Sequence, residues 1–356
     1  MTTIKLPGLV DTHVHLREPG AIHKEDFDSG TRAALAGGFT YVAAMPNTSP
    51  SVTDAASLAL ARAAARAKAR CDFGLYLGAT VDNVASAADL ANDCAGLKMY
   101  LDNTFGTLKM DSLGALLAHA RAWPADRPLL CHAEQRTAAA AIMAAHLAGR
   151  SIHICHVSRI DELELIRRAR AAGIAVTCEV CPHHLWLCDE DIPRLGPGRA
   201  EVRPMLATRA DMLALRANLD LIDMFATDHA PHLLAEKDSP AAPPGYPGLE
   251  TALPLYLRLV DEGLLSLEGV IARMSANPRR IFALPEQPET WIEVDLDAVW
   301  TARGAQMQTR AGWTPFEGWP MKGRVERVVL RGREAYVDGR VTVEPGYGRE
   351  IGLGRA

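Results

Sequence analysis

Eight short apolar runs, each followed by a stretch that can wind into a helix, recur through this 356-residue chain almost to Pro285. The runs are GLVDTHVHL (8–16), TYVAAMPN (40–47), DFGLYLGAT (72–80), GLKMYL (96–101), PLLCHAE (128–134), SIHICHV (151–157), AVTCEVCPHH (175–184) and DMFATDHAP (223–231). Between them lie segments such as ASLALARAAARAKAR (56–70) and RIDELELIRRARAAG (159–173), the second with apolar residues at helical spacing. Gly37-Gly38, Gly149 and Gly173 fall where those helices end, the place a C′ glycine takes. Strands apolar on both faces need a helix layer over the sheet, which makes the sheet parallel. Eight of them, closed, specify an α/β fold of the (β/α)8 or TIM-barrel type. An open doubly wound sheet would carry a Gly-rich phosphate turn after its first strand. Here that place holds HVHLREPG (13–20).

The pattern changes after about residue 285. WIEVDLDAVW (291–300) and RVERVVLRGREAYVDGRVTV (324–343) read as antiparallel strands, with Val337-Asp338-Gly339-Arg340 as a hairpin turn. The expected division is a barrel over 8–285 and a small β subdomain made of 1–7 plus 286–356. KDSPAAPPGYPG (237–248) reads as a Pro/Gly-rich mobile loop.

Charge and cysteine usage exclude several classes. Thirty-eight basic and 43 acidic residues give a formal charge of −5, and no Lys/Arg run stands out, so no nucleic-acid partner is expected. No apolar run approaches the roughly 20 residues of a membrane span, and no signal peptide is read at the N-terminus. The default expectation is a cytoplasmic protein that binds no membrane. The seven cysteines, an odd number mostly inside apolar runs, read as reduced core residues. Cys178-Glu-Val-Cys181 is formally a C-x-x-C but has no second pair, so it reads as strand rather than knuckle.

Barrel active sites are built at the C-terminal ends of the strands. The polar residues predicted there are His13, His15 and Arg17; Asn47; Lys98; His132 and Glu134; His156; Glu179, His183 and His184; and Asp228, His229 and His232. His13 and His15 are two apart on a strand, so they point to one face and can bind one ion. His132, His156 and Asp228 come from separate strands converging on the same volume. Imidazole and carboxylate donors suit Zn²⁺ or another borderline divalent metal. Lys98 has two readings: it snorkels or pairs with a carboxylate, or CO₂ has carboxylated its nitrogen to make an anionic bridge between two metals. Arg17 can grip a carboxylate in bidentate fashion or sit in a surface salt bridge. Glu134 and His183 read equally as orienting groups and as satisfied core polars. His23, His119, His146 and His153 read as structural.

These motifs in this order resemble the dihydroorotases of the amidohydrolase superfamily. HVHLREPG, MPNT after the second strand, Lys98 on the fourth, a strand-5 His, ICHV and FATDHAPH carry the resemblance, with NPRRIFALP (277–285) and WTPFEGW (313–319) extending it. The sequence looks most like the dihydroorotase domain of the fused pyrimidine-synthesis polyprotein of animals. The resemblance implies a zinc-dependent hydrolase that interconverts N-carbamoyl-L-aspartate and L-dihydroorotate. It implies two zinc ions, one held by His13, His15 and Asp228 and one by His132 and His156, bridged by N6-carboxylated Lys98 and a hydroxide. Asp228 would shuttle the proton. Arg17, Asn47 and His232 would take the substrate carboxylate, while Arg203, Pro244 and Gly245 line the ring. Thr104 and Phe105, in the loop 101–109, would close over it. Cys155 and Glu179 match the place of a third zinc. A homodimer is implied, with carbamoyl phosphate synthetase and aspartate transcarbamoylase as fused or associated partners. The alternatives are another cyclic amidohydrolase (hydantoinase, dihydropyrimidinase or allantoinase) or an inactive scaffold homologue.

Overall fold

A computed structural model of the chain describes residues 2–352. Met1 and residues 353–356, the outer ends of the predicted β region, lie outside the described residues. A first strand, β1 (Thr3–Pro7), precedes the eight predicted ones: β2 (Leu9–Val14), β3 (Phe39–Ala44), β4 (Asp72–Gly78), β5 (Gly96–Tyr100), β6 (Leu129–His132), β7 (Ile152–Ile154), β8 (Val176–Val180) and β9 (Met224–Phe225). β2 to β9 pair in sequence order, all parallel. The seam between the first and last is closed beyond β9, where His15 N–H donates to the His229 carbonyl at 2.7 Å and Val14 bridges to His229. Asp11 reinforces the seam from below by accepting from the backbone and hydroxyl of Thr227. The (β/α)8 barrel read from the sequence is therefore the observed fold.

Side-chain alternation divides each strand between two layers. Val10, Tyr41, Ala43, Tyr76, Leu130 and Met224 pack inside the barrel. Leu9, Val42, Phe73, Leu97, Ile154 and Phe225 face the helices in a larger cluster. In β2 the phase reverses, because its pairing with β3 slips between Asp11 and Val14. Val14 and Leu16 consequently join the outer layer, which turns His13 and His15 inward. An unbroken strand with Val10 inside would have pointed both histidines at the helices.

β1 joins β10 (Trp291–Thr301), β11 (Pro320–Leu330), β12 (Arg333–Val337) and β13 (Arg340–Val341) in an antiparallel sheet. Asp338 (φ 47°) and Gly339 (φ 83°) make the predicted two-residue hairpin between β12 and β13. This region reaches the barrel mouth through Trp313, whose indole N–H donates to the His232 carbonyl at 2.8 Å.

Three local expectations need correction. The seventh run does not continue as strand to His184, because Pro182 cannot donate to a ladder and instead opens a short helix, Pro182–Trp186. The eighth run pairs only over Met224–Phe225, since Asp228 adopts φ 47° and the chain leaves the ladder. The 237–248 stretch is fastened: buried Lys237 donates to the carbonyls of Glu201 (2.7 Å) and Pro243 (2.8 Å), and Tyr246 is buried.

Candidate active site

His13, His15 and Asp228 meet at the mouth, each offering one donor atom within 4.8 Å of the others. Asp228 Oδ1 lies 3.2 Å from His13 Nε2 and 3.1 Å from His15 Nε2. The opposite ring nitrogens are held from behind, His13 Nδ1 by Glu179 Oε1 at 2.5 Å and His15 Nδ1 by Asn47 Oδ1 at 2.7 Å. Those contacts put the protons on Nδ1 and leave both Nε2 lone pairs aimed at Asp228, the arrangement a metal ligand needs. Burial holds His15 neutral, pushing its pKa down to about 4.

A second pair faces the same space. His132 Nδ1 is 2.9 Å from His156 Nε2, and the His13 and His156 ring centroids are 5.2 Å apart. His132 Nε2 and His156 Nδ1 are buried with no hydrogen-bond partner among the described residues, and Glu134 Oε1 stays 3.5 Å from the former. Burial lowers the pKa of both rings, so two neutral imidazoles carry unused nitrogens in the interior. This donor set fits a pair of borderline divalent cations. Lys98 lies fully buried on β5, with Nζ 2.8 Å from Cys155 Sγ. Cys155 also groups with His13 and Glu179, one ligating atom of each within 4.8 Å of the others.

Arg17, His156 and Asp228 all have positive φ (61°, 37° and 47°). Non-glycine residues held there mark places where tertiary structure overrides backbone preference, a habit of functional sites. At Arg17 the turn sends the guanidinium across the mouth, where Nε donates to the Pro231 carbonyl at 3.1 Å. His232 is buried between Arg17 Nη2 and Lys24 Nζ, each 3.0 Å from a ring nitrogen. Lys24 donates to Nδ1, and Nε2 donates to the Pro244 carbonyl at 3.0 Å. Burial first, and the two cations second, keep this imidazole neutral.

Phe105 covers the cationic corner. Its ring centroid is 5.2 Å from the Arg17 guanidinium, 4.9 Å from Lys24 Nζ and 5.0 Å from the His232 ring. Thr104, Phe105, Arg203, Pro244 and Gly245 line one cleft with the metal-type donors. Gly245 is required there, since a Cβ would meet the Ala230 carbonyl oxygen at 2.5 Å. Arg203 Nη1 donates to Glu201 Oε2 at 2.8 Å. Among residues expected at the site, Asn47 touches His15 and the loop, and Lys98 lies beneath the cleft.

Sequence reading missed Lys24 and Tyr100. Lys24 sits outside every strand and reaches the site from a loop, so spacing carried no signal. Tyr100 lines the cleft with a buried hydroxyl that has no partner among the described residues, but an aromatic at a strand end reads as core. His153 joins Glu179 at 3.2 Å and Thr177 at 2.9 Å. His119 bonds the Thr80 carbonyl, while His23 and His146 are exposed. Cys178 and Cys181 are not a pair; the Cys178 thiol donates to the Leu221 carbonyl.

A closed barrel with histidines and an aspartate converging at its mouth is the architecture of the amidohydrolases. The family model described as "Dihydro-orotase-like" matches residues 2–114. The multifunctional protein CAD of Squalus acanthias is 55% identical over 98% of this chain, and the multifunctional protein pyr1-3 of Dictyostelium discoideum is 51% identical over 98%. The chain spans 16% of the length of each of those two relatives. The dihydroorotase of Pyrococcus furiosus is 34% identical over 98% of this chain and 86% of its own length. This chain belongs to the dihydroorotase family, and it is homologous to those enzymes throughout. Among solved structures, an L-hydantoinase from Arthrobacter aurescens superposes with a TM-score of 0.93 at 25% identity, covering 98% of this chain and 89% of that one. An inactive dihydroorotase-like domain of a Chaetomium thermophilum CAD-like multifunctional protein superposes at 0.84 with 30% identity, covering 98% and 99%. Membership alone therefore does not carry activity.

Proposed function

We propose that this chain is an active zinc-dependent dihydroorotase that interconverts N-carbamoyl-L-aspartate and L-dihydroorotate. The observation that carries the reading is the pairing of two features in one cleft: a converging donor set and, beside it, the Arg17 guanidinium, backed by His232. A neutral hydantoin or dihydropyrimidine ring has no charge for that guanidinium to meet, whereas the carboxylate of dihydroorotate has.

His13, His15 and Asp228, together with His132, His156 and Lys98 once carboxylated, would hold two Zn²⁺ ions. When bound, the ions supply the Lewis acidity that makes water nucleophilic near neutral pH and polarises an amide carbonyl. Arg17 binds the substrate carboxylate, and the backbone at Pro244 and Gly245 with Arg203 fixes the ring plane. Phe105 and Thr104 exclude bulk water. The Asp228 carboxylate takes a proton from the attacking water and returns it to the ring nitrogen as the C–N bond breaks. Ring closure runs the same transfers in reverse. Glu179 and Asn47 hold the tautomers of His13 and His15 throughout.

The barrel over 8–285 is the catalytic unit in this reading, and 1–7 with 286–356 is its supporting sheet. The proposed assembly is a homodimer working in the cytoplasm with carbamoyl phosphate synthetase and aspartate transcarbamoylase, fused or associated, in de novo pyrimidine synthesis. Among the described residues no helix is long and apolar enough to cross a membrane.

The test is the relative turnover of L-dihydroorotate, hydantoin and dihydrouracil by zinc-loaded protein, with metal content measured on the same sample. Preference for dihydroorotate is expected. Faster turnover of a neutral ring would reassign the chain to the hydantoinase type, and no turnover at full zinc would place it with the inactive homologues.

A further inference from the structure

The turn that follows β8 carries a second donor cluster that the proposed chemistry does not use. One ligating atom each of Cys181, His183 and His184 lies within 4.8 Å of the other two. All three side chains are buried, at 0%, 3% and 2% exposure. The imidazoles stand with centroids 4.3 Å apart, and His183 Nε2 and His184 Nδ1 are buried with no hydrogen-bond partner among the described residues. His184 Nε2 donates to the Pro204 carbonyl at 3.2 Å, which leaves its lone pair on Nδ1. Buried polar atoms are nearly always satisfied, and an unpartnered pair in one place calls for a missing partner. The His184 Nδ1 lone pair, beside a thiol and a second imidazole, is a donor set that a soft cation can satisfy.

We propose that Cys181, His183 and His184 form a separate binding site for one thiophilic cation of the zinc type. One thiolate and two imidazoles are a borderline-soft donor set of the kind that selects Zn²⁺ or Cd²⁺ over Mg²⁺ or Ca²⁺. The site shares no ligand with the His13–His15–Asp228 group or with the His13–Cys155–Glu179 group. Binding exchanges the Cys181 thiol proton for the metal, with the proton released to solvent, so the site fills more completely as pH rises. Pro182 sets the geometry: it ends the strand at Val180 and winds the next residues into a helical turn, which folds both histidines back against the thiol. This inference goes beyond the proposed activity and does not depend on it.

The experiment uses the whole chain, stripped with a chelator and titrated with Cd²⁺ and then Zn²⁺. Metal equivalents and the thiolate-to-Cd²⁺ charge-transfer absorbance are read together. Cys181→Ser is expected to bind one equivalent fewer than the wild type and to lose intensity in that band. The double variant His183→Asn/His184→Gln should lose the same equivalent with the thiol intact, and Cys178→Ser should lose nothing. Zinc X-ray absorption on the wild type, where folding is not in question, should show a sulfur ligand. Equal stoichiometry in wild type and variants, or a zinc shell of nitrogen and oxygen alone, overturns the proposal.

Discussion

Asn47 Oδ1 lies 2.7 Å from His15 Nδ1, while the Asn47 amide nitrogen donates to the Phe105 carbonyl at 2.8 Å. One side chain thus ties a metal-type imidazole to the loop that covers the cleft. Asn47→Ala should lower zinc retention against a competing chelator and reduce kcat/KM by about 10–100-fold, the usual cost of losing an outer-shell partner. If Asn47 only gripped the substrate carboxylate, KM would rise and zinc retention would stay unchanged.

Arg17 supplies a planar fork where Lys24 supplies a point charge. Arg17→Met should cut kcat/KM for dihydroorotate by about 100-fold or more, as expected for a lost charge-assisted contact, with zinc content intact. Arg17→Lys should recover little, because an ammonium cannot reproduce bidentate geometry. Steady-state kinetics beside metal analysis check both outcomes.

Lys98 is fully buried with Cys155 Sγ as its hydrogen-bond partner. An uncompensated ammonium there would be costly, and a carbamate would convert it into an anionic donor beside His132 and His156. Lys98→Ala should lose zinc and at least about 100-fold in turnover, with partial rescue by a short carboxylic acid. Carbon NMR after exposure to labelled CO₂ should show a carbamate in wild type alone. Full activity of the variant without added acid would remove the bridge from the mechanism.

Glu250 lies in the first turn of the helix Leu249–Asp261 and is half-buried. Burial raises its pKa from 4.5 to about 7, against the backbone N–H groups of Gln308 and Thr309 that favour the charged form. A raised folded-state pKa means the folded protein holds the proton more tightly. Its stability contribution is complete below pH 4.5 and is lost as pH climbs toward 7. Wild type should therefore lose about 1–3 kcal/mol relative to Glu250→Gln across that window. Urea midpoints for both proteins at several pH values test it, and parallel curves would contradict it.

Much of the barrel is legible in the chain because its signal is local. Near-continuous apolar runs at regular separation report strands buried on both faces, and Ala/Leu-rich intervals report the covering helices. The hairpin at Asp338-Gly339 is local too, so it survives intact. Of the residues expected at strand ends, His13, His15, Arg17, Asn47, His132, His156 and Asp228 share one cleft, since a barrel gathers its C-terminal strand ends at one mouth, whereas Lys98, Glu179, His183, His184 and His229 lie outside its lining. Lys24 stayed hidden because nothing near it in sequence marks the loop it enters, and Tyr100 because an aromatic at a strand end reads as core.

The order, number and parallel sense of the strands, and the chemical class of the groups at their ends, were set by the sequence alone through periodicity and residue type. The direction in which those groups point was not. His13 and His15 face the cleft because β2 slips against β3 between Asp11 and Val14, and Arg17, His156 and Asp228 reach it through left-handed backbone. Cys181, His183 and His184 come together because Pro182 stops a strand that the apolar pattern would have continued. The slip of β2 and the left-handed turns depend on contacts with segments far away in the chain, which is why only the closed barrel decides them, whereas the Pro182 turn is local.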